Sequence, residues 1–264
     1  MRRVLDGVGV LITRPVELAA ALVQGVEQAG GRAILFPALQ ITAVPATEMA
    51  AQLRSLRDAN DVIFVSPTAV RVGAPLLASL GPPSVARRCF AVGAGTAREL
   101  KNLCAQPIIT PERGADSEAL LRLPQLLQVK GRRVAIIRGE GGRELLRETL
   151  QARGADVSVV ECYRRGKPVR ELPISFENDV AAVTATSSEI VTNLFSIGGR
   201  QTEAWLKRRP FFVTHPRIAR RAAQCGVLTV CVGQADDAAG ADAALVAALR
   251  TWFADLSVEQ SHIS

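Results

Sequence analysis

Short runs of apolar and β-branched residues alternate along the chain with longer segments in which apolar residues recur every three to four positions. The first run predicts a strand at Val10–Thr13, and Pro15 opens a segment of helical spacing that ends at Gly30. Further strand-then-helix pairs begin at Val62, Cys89 and Val134. Strands that alternate with amphipathic helices are typical of parallel sheets, so the pattern predicts an α/β protein.

The order of these segments repeats once along the chain. The strand ending at Arg14 has a counterpart ending at Arg138, and GVEQAGGRAILFPAL resembles TLQARGADVSVVECY. The other matched pairs are DVIFVSPTAV (61–70) with DVAAVTATSSEI (179–190), FAVGAGTAREL (90–100) with FFVTHPRIARRA (211–222), and DSEALL (116–121) with DAALV (242–246). An internal duplication predicts two similar doubly wound domains with a cleft between them. The alternative is that unrelated α/β units look alike at this level of detail.

Hydroxyl, guanidinium and glycine residues stand at the predicted strand-to-helix turns. Such turns gather on one edge of a doubly wound sheet, where the N–H groups of helix N-termini bind anions. We therefore predict that the cleft binds carboxylates or phosphates through Arg14, Ser66, Gly93, Thr96, Arg138, Gly139, Arg143, Thr186, Ser187 and Ser188. For the hydroxyl residues, helix capping is the alternative role.

Tyr163 is the only tyrosine of the chain and follows the predicted strand Val157–Val160. A phenol is a poor base at neutral pH, but it donates hydrogen bonds and acts as a weak acid. Tyr163 is therefore a candidate catalytic residue, and packing at a domain hinge is the alternative.

The net charge of +7, from 32 Lys and Arg against 25 Asp and Glu, favours an anionic partner. Basic residues form short, scattered pairs without interleaved aromatics, which argues against nucleic acid as the partner.

The chain has no dinucleotide fingerprint, P-loop or GxSxG motif, and its two histidines and five unclustered cysteines predict neither a metal site nor disulfides. Without a signal peptide or an apolar run of membrane length, a cytoplasmic protein that does not contact membranes is expected.

Five motifs resemble the uroporphyrinogen-III synthase family of tetrapyrrole biosynthesis. They are LITRP (11–15), FVSPTAV (64–70), VGAGTA (92–97), ADSEALL (115–121) and, most specifically, the block from RGEGGRELL to ECYRR (138–165). The resemblance covers nearly the whole chain and implies two α/β domains joined by extended linkers, with the active site in the cleft. It assigns 1–37 and 168–264 to the first domain, 41–161 to the second, and 38–40 and 162–167 to the linkers.

The resemblance also implies a reaction. Enzymes of this family convert hydroxymethylbilane, a linear tetrapyrrole with eight carboxylates, into uroporphyrinogen III with loss of water and inversion of ring D, without cofactor or metal. By resemblance, Tyr163 assists departure of the ring A hydroxyl, and Ser66 and Thr96 match hydroxyl residues of the family motifs. Much of the enzyme's contribution is then to hold the substrate in a conformation in which attack at the substituted carbon of ring D is the preferred reaction. A monomer is expected, and the pathway suggests a transient contact with the preceding deaminase.

One turn departs from the family pattern. Many members carry a GPTTA-like turn where this chain has HPRIA at 215–219, so that the hydroxyl of this turn is lost, and His215 and Arg217 are the candidates to replace it. Two other classes of function stay open on the sequence alone. One is a non-catalytic two-domain binding or sensor module for an anionic small molecule, and the other, on charge alone, is a nucleic-acid-binding protein.

Overall fold

The structure is a computed structural model that describes residues 4–81, 87–101, 103, 107–234 and 240–261. Its strands are β1 (Gly9–Ile12), β2 (Arg32–Leu35), β3 (Gln40–Ala43), β4 (Asp61–Phe64), β5 (Arg88–Ala91), β6 (Ile108–Ile109), β7 (Arg133–Gly139), β8 (Asp156–Gly166), β9 (Ala182–Ala185), β10 (Phe211–Val213) and β11 (Val230–Val232). Its helices are α1 (Ala20–Gln28), α2 (Ala50–Arg57), α3 (Pro67–Ser79), α4 (Ala94–Lys101), α5 (Ser117–Leu121), α6 (Pro124–Leu127), α7 (Leu145–Ala152), α8 (Phe176–Asp179), α9 (Ser188–Ile197), α10 (Arg200–Arg208), α11 (Pro216–Gln224) and α12 (Gly240–Ser261).

The chain divides into two compact α/β units, one formed by Met1–Gln40 with Gly166–Ser264 and the other by Ile41–Arg165. The sheet of the first unit has the strand order β11-β10-β9-β1-β2, and the sheet of the second has the order β6-β5-β4-β7-β8-β3. The two orders coincide when β7 and β8 are matched with β1 and β2, and β4 to β6 with β9 to β11. This common order agrees with the repetition in the sequence, and β3 is an additional edge strand.

Helices cover both faces of the second sheet. Side chains at alternate positions of a strand point to opposite faces. Val62, Phe64 and Ile137 accordingly pack toward α2, α3 and α4, whereas Ile63 and Ile136 pack toward α5, α6 and α7. Strands buried on both faces explain why their sequences are almost continuously apolar.

The first unit is built in the same way. Val10, Ile12 and Phe212 pack under α1 and α12 on one face of the sheet. On the other face, the Phe211 ring stacks on Phe195 of α9 with centroids 6.1 Å apart. The predicted helix after Pro15 begins as a single 3-10 turn over Val16–Leu18 and continues as α1.

The segments that the family resemblance assigns to linkers contain extended backbone, because β8 continues as far as Gly166 and β3 begins at Gln40. Asp116 caps α5, and Pro124, which lacks an N–H, starts α6 instead of continuing α5. Within the described ranges, no helix has the length and apolar character needed to cross a membrane.

A buried carboxylate closes the amino end of the second sheet. Asp61, the first residue of β4, is fully buried between two guanidinium groups. Its Oδ1 accepts from Arg88 Nε at 2.6 Å and its Oδ2 from Arg132 Nε at 2.6 Å, and each arginine makes a second bond through Nη2. Burial alone would raise the pKa of Asp61, but the hydrogen bonds and charges of Arg88 and Arg132 outweigh it and hold this pKa below 3.8. The carboxylate thereby joins β4, β5 and the residue before β7.

We expect Asp61→Asn to lower the free energy of unfolding by about 2–3 kcal/mol at neutral pH, because two guanidinium groups lose their buried counterion. Asp156→Asn is the matched control: Asp156 also begins a strand but is exposed, so that a change below about 0.5 kcal/mol is expected. Urea unfolding of both variants measures the difference.

The difference in stability between the wild type and Asp61→Asn should depend on pH. Because folding lowers the pKa of Asp61, its ionised form contributes stability above pH 3.8 that is lost as the pH falls through the folded value. The deficit of Asp61→Asn should therefore stay constant from neutral pH down to about pH 5 and narrow only below pH 3.8. Equal stabilities of the wild type and Asp61→Asn at neutral pH would contradict this role.

Candidate functional site

The strand order determines where each sheet leaves a crevice. In the second sheet, α3 follows β4 onto one face, whereas α7 follows the adjacent strand β7 onto the opposite face. Ligands of α/β sheets bind at such switch points, outside the carboxyl ends of the strands. The carboxyl ends of β4 and β7 are therefore the expected site in this unit. In the other unit, β1 and β9 hold the equivalent position.

A β-bulge sets the direction of Tyr163. The parallel strands β7 and β8 are in register up to Arg138 and Glu161, but the next residue, Gly139, is paired with Tyr163 and not with Cys162. Consecutive strand residues normally point to opposite faces, whereas a bulge re-aims a side chain. Cys162 and Tyr163 consequently lie in the same core cluster, and Tyr163 is only 1% exposed.

The ring of Tyr163 lies directly against the backbone of Gly139. A Cβ added at residue 139 would stand 2.5 Å from Tyr163 Cε2 and 2.6 Å from Cζ, which is closer than atoms can approach without displacement. The N–H of Glu140 also donates to the Tyr163 carbonyl at 2.9 Å. Gly139, one of the predicted site residues, therefore contributes to the site by making room for the tyrosine.

The hydroxyl of Tyr163 has two polar neighbours. Its Oη lies 3.2 Å from Ser66 Oγ, and Arg165 Nη2 donates to it at 3.3 Å. The Arg165 guanidinium also lies over the ring, with Cζ 5.7 Å from the ring centroid. The structure thus brings together two residues that the sequence predicts, Ser66 and Tyr163, and adds Arg165 to them.

Ser66 has both of the roles that the sequence leaves open. Its backbone is extended, and its Oγ caps α3 by accepting the N–H of Ala69 at 3.0 Å, with Pro67 at the first helical position. The same oxygen contacts Tyr163. A hydroxyl oxygen offers two lone pairs and one proton, so the cap and the contact with the tyrosine are compatible.

Arg138 is buried, and the protein itself uses its guanidinium. Its nitrogens donate to the carbonyls of Gly142 and Arg143 at 3.2 and 3.1 Å, to Glu144 at 2.7 Å and to Glu161 at 3.0 Å. The bond from Arg138 lowers the pKa of the Glu144 carboxyl. These contacts hold the glycine-rich turn after β7 in place, and Arg138 is only 8% exposed.

The other predicted residues of this unit lie around the same edge with different surroundings. Arg143 is exposed and pairs with Glu118 at 2.7 Å, which lowers the pKa of that carboxyl. Gly93 approaches Ala115 so closely that an added Cβ would stand 2.7 Å from the alanine methyl group. Thr96 is buried in the first turn of α4. Within the described residues, the structure does not gather these three around the Tyr163 hydroxyl.

The equivalent edge of the first unit carries Arg14, Thr186, Ser187 and Ser188. Arg14 forms an ion pair with Asp242, yet its Nε is buried and has no hydrogen-bond partner in the described part of the chain. Ser187 caps α9 by accepting a backbone N–H at 3.1 Å, whereas the Oγ of Ser188 is buried and likewise lacks a described partner. Thr186 is half-buried. Buried donors without partners cost free energy, so this edge is suited to a polar ligand.

His215 caps α11 in the turn that departs from the family pattern. Its Nδ1 accepts the N–H of Arg217 at 3.0 Å, and Pro216 occupies the first position of α11. The arrangement repeats that of Ser66 and Pro67 at the start of α3. The imidazole therefore supplies the cap of this helix.

The predictions from the sequence omit two residues of these sites. Arg165 follows Tyr163 by two positions, and the period of a strand places both side chains on one face, so that a signal existed. Asp242 pairs with Arg14 across 228 positions of the chain, and no local pattern reveals such a contact.

A cavity of about 510 Å³ lies elsewhere in the first unit, between residues 171–174 and 199–202, and contains none of the predicted site residues. Across the part of the chain that the structure describes, no group of three or more His, Cys, Asp or Glu side chains is arranged to hold a metal ion.

Gly139→Ala should displace the Tyr163 ring, because the added methyl group occupies its position. We expect a loss of about 1–3 kcal/mol in the free energy of unfolding and a changed ultraviolet difference spectrum of the single tyrosine. Gly166→Ala is the matched control, since an added Cβ there meets open space. If Gly139→Ala had the stability and the tyrosine spectrum of the wild type, the packing described here would be wrong.

Comparisons with known proteins agree on one family. Residues 20–241 match the family model described as uroporphyrinogen-III synthase HemD. The uroporphyrinogen-III synthase of Salmonella typhimurium is 36% identical over 224 residues, which cover 82% of this chain and 91% of that protein. That of Escherichia coli is 32% identical over 225 residues, with the same coverage. A mutant uroporphyrinogen III synthase from Thermus thermophilus shares the fold, with a TM-score of 0.61 and 22% identity over 95% of this chain and 99% of that one. The chain therefore belongs to the uroporphyrinogen-III synthase family.

Proposed function

We propose that this protein is a cyclising lyase that converts hydroxymethylbilane into uroporphyrinogen III, with loss of water and inversion of ring D. The observation that carries the proposal is the contact between the hydroxyls of Tyr163 and Ser66, 3.2 Å apart, at the carboxyl ends of β8 and β4. Membership of the synthase family supports the choice of reaction.

Tyr163 is the residue proposed to act on the departing group. A phenol that donates its proton to the ring A hydroxyl allows that hydroxyl to leave as water. The electron-rich pyrrole supplies most of the driving force, so that a weak acid suffices. The rest of the task is to hold the linear chain in the conformation from which ring D is attacked at its substituted carbon.

The charge distribution supports a substrate with many carboxylates. Residues 41–165 contain 18 basic and 12 acidic residues, so this unit carries six of the seven net positive charges. In the other unit, the buried Nε of Arg14 and the Oγ of Ser188 offer donors to an anionic group. We propose that Arg14 and the hydroxyls Thr186, Ser187 and Ser188 bind carboxylates of the substrate, together with the turns at Gly93, Thr96 and Arg143.

Arg138 and Gly139 are proposed to serve the substrate indirectly. Arg138 already donates to backbone carbonyls and carboxylates within the turn after β7, and Gly139 makes room for the Tyr163 ring. Their contribution is then the shape of the turn, whose backbone N–H groups lie next to the tyrosine.

We also propose a cytoplasmic monomer that acts without a cofactor and receives its substrate by transient contact with the preceding deaminase. Hydroxymethylbilane closes spontaneously to the symmetric type I isomer, which favours a short path between the two enzymes. Sedimentation of the purified protein, alone and mixed with the deaminase, measures both the oligomeric state and the contact.

Product analysis with freshly generated hydroxymethylbilane tests the proposed activity. We expect mainly the type III isomer with the wild type and only type I in the blank. Tyr163→Phe should retain the fold but lower kcat by about 10- to 100-fold, because the pyrrole continues to drive loss of the hydroxyl. Type I alone, formed at the rate of the blank, would exclude the synthase activity and leave a binding module for an anionic small molecule as the remaining function.

A further inference from the structure

Arg165 contacts the phenol of Tyr163 in two ways. Its Nη2 donates to Tyr163 Oη at 3.3 Å, and its guanidinium lies over the ring at 5.7 Å. The side chain of Tyr163 is buried, whereas Arg165 is exposed. The guanidinium therefore holds the buried hydroxyl from its solvent side.

The hydrogen bonds constrain where the protons of this cluster lie. Ser66 Oγ accepts the N–H of Ala69, so that its own proton is available to Tyr163 Oη, 3.2 Å away. Arg165 can only donate. A phenol oxygen that accepts from both Ser66 and Arg165 keeps its own proton free for a third group.

We propose that Arg165 is a positioning residue for Tyr163, an inference that rests on the proposed function. Together with Ser66 it places two donors on the phenol oxygen, directs the phenol proton toward the leaving hydroxyl and stabilises the negative charge that remains on the oxygen.

The phenol donates one proton in this step and regains one later in the reaction. The phenol O–H bond breaks, its proton joins the ring A hydroxyl, and the C–O bond to the substrate breaks with release of water. Arg165 and Ser66 hold the resulting phenolate. When the inverted ring D closes the macrocycle, its unsubstituted α-carbon forms the new C–C bond and loses its proton, and this proton restores the phenol. The step needs no oxidant or reductant.

The neighbouring arginine shows that position, and not only charge, distinguishes Arg165. Arg164 donates to Glu48 at 2.7 Å and to Glu140 at 2.9 Å, and these carboxylates raise its pKa. Two adjacent residues of the same type and charge thus have different partners. Arg164→Gln is therefore a matched control for Arg165→Gln.

A double-mutant cycle tests the proposal through the reaction. Arg165→Gln should lower kcat about tenfold in the wild type, the effect of one hydrogen bond to a charged group, with a smaller change in KM. In the Tyr163→Phe background the same substitution should change kcat less than about twofold, because the phenol it serves is gone. Arg165→Lys should restore part of kcat, and Arg164→Gln should leave it unchanged. An equal loss in both backgrounds would mean that Arg165 acts on the substrate itself and would overturn the proposal.

A spectroscopic measurement tests the contact without activity. Because Tyr163 is the only tyrosine, an ultraviolet difference spectrum against the wild type reports on this residue alone among the phenols. Arg165→Gln should give a tyrosine difference band that Arg164→Gln lacks. Absence of this band would overturn the proposal even if the wild type forms type III product. If Arg165→Gln gives the band but the wild type forms no type III product, the proposed function is contradicted and the contact between Arg165 and Tyr163 stands.

Discussion

A parallel sheet with helices on both of its faces has no free face, and this constraint governs where each unit can keep polar groups. In the second unit, the interior positions of β4 and β7 are apolar on both sides. Charged and hydroxyl groups are therefore confined to the two edges at which the strands end. The amino edge holds the Asp61 carboxylate with its two arginines, and the carboxyl edge holds Tyr163 with Ser66 and Arg165. One edge serves stability, and the other is available for chemistry.

At the carboxyl edge, the same residues stabilise the local structure and position the proposed catalytic tyrosine. Ser66 Oγ completes the first turn of α3 and touches the phenol of Tyr163. Gly139 leaves the space that the phenol ring fills, and Arg138 fixes the turn that follows. A substitution at any of these residues changes the position of Tyr163 before it changes any contact with the substrate. The comparison of Arg165 with Arg164 avoids this difficulty, because neither residue caps a helix or fills the core.

The sequence predicts the local structure well where a residue type has one physical explanation. Ser66 before Pro67 caps α3, Ser187 caps α9, and the segment of helical spacing after Pro15 contains α1. The α/β class and the repeated strand order also follow from alternating patterns. These signals are local, and local geometry decides them.

What the sequence does not reveal depends on contacts between distant segments. The bulge at Cys162 has no glycine or proline within residues 160–164 to mark it, yet it turns Tyr163 into the same core as its neighbour. Nothing in the residue type of Arg138 indicates that Glu144 and Glu161 surround it, and the partner of Arg14, Asp242, is 228 positions away. The sheet edge at which these residues lie can thus be predicted from the pattern, whereas their partners cannot.

We propose that the Tyr163 hydroxyl meets the departing group of a linear tetrapyrrole. A crystal structure of the protein with a stable, non-cyclising analogue of hydroxymethylbilane tests this contact directly. We expect Tyr163 Oη to lie within hydrogen-bond distance of the ring A substituent while Ser66 and Arg165 still contact the phenol oxygen. If the analogue bound with ring A away from the carboxyl ends of β4 and β8, and Tyr163 remained buried without contact to the analogue, the proposed role of Tyr163 would be contradicted.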